Sequence, residues 1–295
     1  QERKVQLQAL AQQTVSPTTS QAPIQYTTVA NTRIAYRVIG KGEPILFLNR
    51  FRADMNHWDP VFIDRVAQNR QVILFDYPGI GLSSGPARNS ITGMADDVIA
   101  FMKAMKLGPT DALGWSLGTT VGLTAASRHP EQFKKLVMIG AIFAGGMQQA
   151  YVSNDIQEFF DRASKPRPEV EDFLYILFGD TELSKRHGLS VLKRRALWQT
   201  PATVIPPVKP EVWKHHLKAI TEYQTSKGSV AAITAKLPTL FINGDRGHIA
   251  PPRIAAEWIN VVAKAQLAGG PSSGHNVHGQ NPEVVAQIVG RFLQP

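Results

Sequence analysis

The chain has no cysteine, which rules out a disulfide framework and any thiolate metal centre and leaves the redox compartment unread. It has no run of eighteen apolar residues, so no segment is expected to span a membrane. No internal repeat is visible. Its basic residues are neither interleaved with aromatics along strands nor set in a recognised binding motif, which removes nucleic acid from the expected partners. The first 23 residues are rich in Gln, Ser and Thr and read as a tail or a docked arm. Ala9-Leu10-Ala11 has the form of a signal-cleavage site behind Arg3 and Lys4, but the intervening segment is too short and too polar for a signal core. The chain begins without Met, so removal of an upstream signal or tag stays open. A soluble protein is expected, cytoplasmic or exported.

What is present is enough for one large core, or a core with a small second lobe: 295 residues, 43% of them hydrophobic. The net charge of +9 is unevenly placed. Between Leu183 and Ala219 eight Lys or Arg face one acid, Glu211. A solvated helical face is the simplest reading of that stretch, and attraction of an anionic substrate or surface is the other.

Alternating segments at 24–30 and 33–39 predict a hairpin turning at Asn31-Thr32. Ile45–Asn49, Val72–Asp76, Asp111–Leu113, Lys135–Gly140 and Leu237–Asn243 are short apolar runs of the kind buried on both faces of a parallel sheet, with a further short strand at 265–268. Helical patterns over 58–68, 90–106, 251–264 and 281–293 fall between or after them. That alternation predicts a mostly parallel sheet with helices on both faces. The rhythm breaks from 145 to 236, which has helix-like segments and many aromatics but no strand-like run. The expected organisation is therefore a tail at 1–23, a core made of 24–144 and 237–295, and a helical insert at 145–236.

Gly114-Trp115-Ser116-Leu117-Gly118 fits the pattern G-x-S-x-G between a strand and a small-residue helix, which places Ser116 at the apex of a sharp turn. The two glycines let backbone approach closely while the serine takes a strained conformation. A pentapeptide this loose arises by chance in about one chain in ten of this length, so its surroundings carry the weight. Two further segments matter: Asp76-Tyr77-Pro78-Gly79-Ile80-Gly81-Leu82-Ser83, and Gly274-His275-Asn276-Val277-His278-Gly279 before the last helix.

Together, in this order, these motifs resemble the α/β-hydrolase fold family, in its serine-nucleophile branch with a helical cap, over residues 24 to 294. The resemblance implies that Ser116 is the nucleophile and His275 the base that takes its proton. It implies an oxyanion hole from the amides of Leu117 and Phe51. Here Asn49-Arg50-Phe51-Arg52 replaces the family's usual His-Gly, and two arginines at this place either bind a substrate carboxylate or face solvent. Asn49, Arg50, Trp115 and Phe143 are expected to line the substrate site, and His278 to be structural. No cofactor is implied. No metal is expected either, since adjacent His215 and His216 do not share a helix face.

The catalytic acid does not follow the family. Gly244-Asp245-Arg246-Gly247 carries Gly247 in the slot where the resemblance implies Asp, and Gly140 and Ala141 stand at the other usual position. Three readings remain: Asp245 serves as the acid, a Ser–His dyad works alone, or the acid has been lost. The expected function is hydrolysis of an apolar carboxylic ester, lactone or amide. The alternatives are a degenerate hydrolase that binds a ligand, and a carbon–carbon bond hydrolase. The expected partner is a small-molecule substrate, and the oligomeric state is unread.

Overall fold

The computed structural model describes residues 22–141, 155–179, 181–197, 204–223, 237–250, 264–270 and 272–295. Phe143, most of the 1–23 tail and nearly all of the helix expected over 251–264 lie outside those residues.

In chain order the strands and helices begin β1 (Gln25–Val29), β2 (Thr32–Ile39), β3 (Pro44–Leu48), α1 (Pro60–Ala67), β4 (Gln71–Phe75), α2 (Ile91–Ala104), β5 (Thr110–Trp115), α3 (Leu117–Arg128) and β6 (Phe133–Ile139). Four helices then intervene: α4 (Asp155–Ala163), α5 (Val170–Leu177), α6 (Glu182–Ala196) and α7 (Pro210–Glu222). The chain closes with β7 (Thr239–Gly244), β8 (Ala265–Gly270), the short α8 (Val277–Gln280) and α9 (Pro282–Phe292). One eight-stranded sheet runs in the order β1-β2-β4-β3-β5-β6-β7-β8. The β1/β2 and β2/β4 pairs are antiparallel and the rest parallel. The fold is a mostly parallel sheet with helices on both faces and an inserted helical cap. No described helix is long and apolar enough to cross a membrane.

The period-two alternation of the strands sorts their side chains into two cores. Leu46, Leu48, Ile73, Phe75, Leu136 and Met138 pack with Met94, Val98 and Val121 from α2 and α3. Ile45, Phe47, Val72, Leu74, Val137 and Ile139 pack with Phe62, Val66, Val285 and Val289 from α1 and α9. Each large apolar side chain so buried contributes about 1.5–3 kcal/mol. β5 and β7 are buried along their whole length, which is why their centres, Ala112-Leu113 and Leu240-Phe241-Ile242, are apolar.

The hairpin turns one residue earlier than expected. Ala30 and Asn31 hold positive φ of 42° and 63°, and Thr32 already pairs with Val29. Two left-handed residues suit the twist of a tight hairpin, and Thr32 is β-branched and fits a strand better.

Two guanidinium groups fasten the cap to the sheet. Arg194 of α6 bridges Asp59 at 2.7 Å and donates to the Gly279 carbonyl at 2.8 Å. Asp59 also caps α1 by accepting the amides of Val61 and Phe62 at 3.0 and 3.2 Å. Arg52 donates to the carbonyls of Ala163, Lys165 and Pro166 at 3.0, 2.6 and 2.9 Å, at the end of α4 and just past it. Such a site holds orphan carbonyls and the negative end of the helix dipole. Six of the eight cations between Leu183 and Ala219 are exposed, whereas Arg194 is buried and Arg195 half-buried. Arg194→Ala leaves Asp59 buried without its cation and is expected to cost about 3 kcal/mol or more in urea unfolding. Pairing it with Asp59→Asn should recover part of that loss.

Candidate active site

β5 ends at Trp115, and Ser116 turns the chain at φ 54°, ψ −117° directly into α3. A non-glycine residue held there stores about 1–3 kcal/mol of strain, which surrounding bonds must offset. Ser116 donates its amide to the Ile139 carbonyl at 3.0 Å, and its own carbonyl accepts from Thr119 N and Oγ1 at 2.8 and 2.6 Å. The flanking glycines are required sterically. A Cβ on Gly114 would lie 2.5 Å from the Gly118 carbonyl oxygen, and one on Gly118 would run into the Leu48 carbonyl. The Leu117 amide, at the first position of α3, has no intrahelical acceptor and stands beside Ser116, as an oxyanion donor must.

His275 lies on the loop between β8 and α8, its carbonyl accepting from Trp115 Nε1 at 3.1 Å. Trp115 pairs with Ile139 across β5 and β6, so Ser116 and Gly140 sit side by side at the carboxyl ends of those strands. The imidazole packs on Gly140: a Cβ there would be 2.9 Å from both Cε1 and Nδ1. The ring is thus brought next to the serine turn. Open parallel sheets hold their ligands beyond these strand ends. Ser116 and His275 are buried, at 5% and 3% exposure, and share no hydrogen bond. Such bonds are often long before substrate tightens the site. Burial, and secondarily the Arg50 guanidinium, pushes the imidazole down to about 3.

Among the described residues no carboxylate faces this ring. His275 Nδ1, where an orienting acid would bind, is buried without a hydrogen-bond partner. Asp245 is engaged elsewhere: its side chain accepts the Ser273 amide at 3.1 Å and the residue is exposed. It is a turn residue bracing the histidine loop, as Asp commonly is. Gly247 is closer. A Cβ on it would stand 3.3 Å from His275 N, 3.4 Å from Gly274 C and 2.9 Å from the Ile249 carbonyl oxygen. Gly247, in one expected acid slot, and Gly140, the first residue of the other, therefore both lie against the histidine loop.

Two residues expected to meet substrate are engaged elsewhere. Asn49 is buried, donating to the Phe75 carbonyl at 2.8 Å and accepting from Trp58 Nε1 at 2.8 Å. Both ends of its amide are spent, one on the end of β4 and the other on the Trp58 indole just before α1. Trp115 is 1% exposed, and its indole packs against Trp58 and His278 at 5.4 and 4.3 Å. Through Trp115 Nε1 it positions the histidine loop. His278 is buried among Trp58, Phe62 and Trp115, with both nitrogens unpaired, and burial holds it well below the usual histidine range. Phe51 is half-buried and meets Trp213 of α7 edge-on at 6.3 Å, so the candidate oxyanion loop touches the cap. Arg50 turns inward over Trp115, 5.1 Å from the ring centre, while Arg52 reaches out to the cap.

The 76–83 segment also reaches the cap. Tyr77 and His216 meet edge-on at 6.0 Å beneath α7, and burial holds His216 at about 4. Tyr77 belongs to the 76–83 motif, the one signal that pointed to this place. Among the described residues no group of three or more His, Cys, Asp or Glu could hold a metal ion. A groove lined by Glu43, Arg70, Lys134 and Gln294 opens at the opposite, amino-terminal ends of the strands.

The family profile for the alpha/beta hydrolase fold matches residues 43–282. The chain belongs to the α/β-hydrolase fold family. This α/β-hydrolase is 34% identical over 246 residues to the putative carbamate hydrolase RutD of Rhizobium rhizogenes, covering 81% of this chain and 88% of that protein. It is 22% identical over 271 residues to pyrrolizixenacetamide deacetylase of Xenorhabdus hominickii, covering 90% and 96% of the two chains. Among solved structures it resembles an α/β-hydrolase fold protein from Chitinophaga pinensis, with a TM-score of 0.83, 26% identity, and 93% and 98% of the two chains covered.

Proposed function

We propose that this α/β-hydrolase cleaves small carboxylic esters, lactones or amides through an acyl-enzyme on Ser116. The observation that carries the reading is the strained Ser116 turn at the start of α3 with the His275 imidazole packed beside it. Ser116 Oγ attacks the carbonyl carbon while His275 takes its proton. The oxyanion rests on the Leu117 and Phe51 amides. Collapse expels the alcohol or amine, which collects the proton from His275, and a water activated by the same ring releases the acid. Relatives whose names describe cleavage of a carbamate or an acetamide support including C–N bonds.

A second reading, a ligand-binding protein descended from a hydrolase, is favoured by the glycines at 140 and 247 and the unpaired Nδ1. A fluorophosphonate probe separates the two. The hydrolase gains one probe mass on the peptide carrying Ser116, and a chain that stays unlabelled is a binding protein.

The pH dependence follows from the base. His275 must be neutral to accept a proton, and a folded value near 3 keeps it neutral throughout the physiological range. Activity is lost only as pH falls through that folded value. Between pH 8 and 5.5, kcat/KM is expected to stay within about twofold, whereas an ordinary imidazole would lose about tenfold.

A further inference from the structure

Among the described residues Arg50 has no counter-ion. It follows β3 on the candidate oxyanion loop, keeps part of its surface open, and lays its guanidinium over the Trp115 ring at 5.1 Å. One nitrogen, Nη1, donates to the Phe51 carbonyl at 2.8 Å. Nε is buried and unpaired, and no acid of the described residues lies within bridging distance. The acid whose charge acts on it, Asp54, is already spent on the Asn56 amide at 2.8 Å and on His57 at 3.1 Å. The strongest charge acting on Arg50 is a second cation, Arg195 from α6 of the cap. Arg195 bridges no described acid either, although the charges of Asp54 and Asp59 act on it, and it donates to the Asn56 carbonyl at 3.3 Å.

Two half-buried guanidinium groups that repel one another are costly unless an anion joins them. A guanidinium presents five donors in a planar fork that matches a carboxylate. Arg50 and Phe51 are consecutive, so an anion on Arg50 lies only a few atoms from a carbonyl whose oxygen sits on the Phe51 amide. The same charge opposes formation of an imidazolium on His275 during proton transfer, and an anion on Arg50 would cancel that opposition.

We infer that Arg50, assisted by Arg195 of the cap, binds a carboxylate on the acyl part of the substrate. The preferred substrate is then a mono-ester or mono-amide of a short dicarboxylic acid, with the free carboxylate anchored beside the scissile carbonyl. This rests on the hydrolase reading and narrows its substrate class.

The test compares p-nitrophenyl hemisuccinate with uncharged p-nitrophenyl butyrate, together with calorimetric titration of the intact protein with succinate, which needs no turnover. The expected kcat/KM ratio favours the hemisuccinate by at least about tenfold, equivalent to about 1.4 kcal/mol. In Arg50→Met and in Arg195→Met, each checked for cooperative melting, the ratio should fall toward one and succinate binding should weaken at least tenfold. Equal rates on the two esters, or a preference that survives both substitutions, would overturn the inference. Probe labelling at Ser116 without succinate binding removes the carboxylate site and leaves the hydrolase standing. Succinate binding without labelling removes the hydrolase and keeps the anion site.

Discussion

Gly247→Asp is expected to raise the turnover of a p-nitrophenyl ester by about 10² to 10⁴, the upper figure being what the orienting acid contributes in an intact triad. A Cβ at 247 begins 3.3 Å from the His275 amide nitrogen, and the short Asp side chain reaches from there toward the imidazole. The carboxylate would meet the unpaired Nδ1, fix the tautomer that leaves Nε2 free for the serine proton, and stabilise the imidazolium. The same Cβ sits 2.9 Å from the Ile249 carbonyl oxygen, closer than a Cβ normally approaches backbone, so the loop must shift to admit it, which is why the range extends below 10⁴. A nearby anion favours the charged ring, so the histidine value should rise from about 3 and an acid limb should enter the pH–rate profile. Gly247→Asn imposes the same crowding without the charge and should give no such gain. Gly140→Asp offers a contrast. Its backbone holds φ +59° and a Cβ would press on the ring at 2.9 Å, displacing the base, so activity should fall. An unchanged rate and pH profile in Gly247→Asp would mean that the ring is oriented by some other group.

Ser116→Ala is expected to abolish probe labelling, yet to lower ester turnover by only about 10², because among the described residues no carboxylate meets His275 Nδ1 to complete the proposed relay. Groups that act as a unit are not additive: in an intact triad, loss of the serine alone costs about 10⁶ and loss of the acid alone about 3 × 10⁴. A chain without the acid therefore has about two orders of magnitude left to lose. In the Gly247→Asp background the same Ser116→Ala substitution should cost about 10⁴ to 10⁶, the upper figure applying where the acid joins the relay fully. Measuring kcat on all four members of this cycle gives the coupling between positions 116 and 247 directly. Equal losses in the two backgrounds would show that the carboxylate introduced at position 247 never joined the relay.

The sheet and the placement of Ser116 are legible in the sequence because their signals are local. Strands buried on both faces must be apolar throughout, and a G-x-S-x-G turn needs glycine on either side for steric reasons that the Leu48 and Gly118 carbonyls make plain. β5 runs two residues beyond the expected end at Leu113. Gly114 and Trp115 weaken a strand pattern, but pairing with Met138 and Ile139 on β6 carries the strand through them. The hairpin turns one residue early because Ala30 in a left-handed conformation has no sequence signature.

Which polar side chains are already engaged by the fold is visible only in three dimensions. Asn49, Trp115 and Asp245 have side chains suited to binding or catalysis, yet each spends its hydrogen bonds on backbone or side-chain groups that are distant in sequence. The two arginines after β3 look alike in the chain, but Arg52 finds three carbonyls at the end of α4 and Arg50 finds none of those and no acid among the described residues. The sequence by itself determined the family, the nucleophile turn, the histidine loop and the absence of an acid from its usual slots, because each is a short-range demand on residue type. The tertiary structure alone decided that Gly140 and Gly247 face the histidine loop, that Asp245 is engaged by the Ser273 amide, and that Arg50 and Arg195 act on one another without an ion pair to any described acid. Those are relations between segments up to 160 residues apart, set by how the loops cross at the carboxyl ends of β5 and β6.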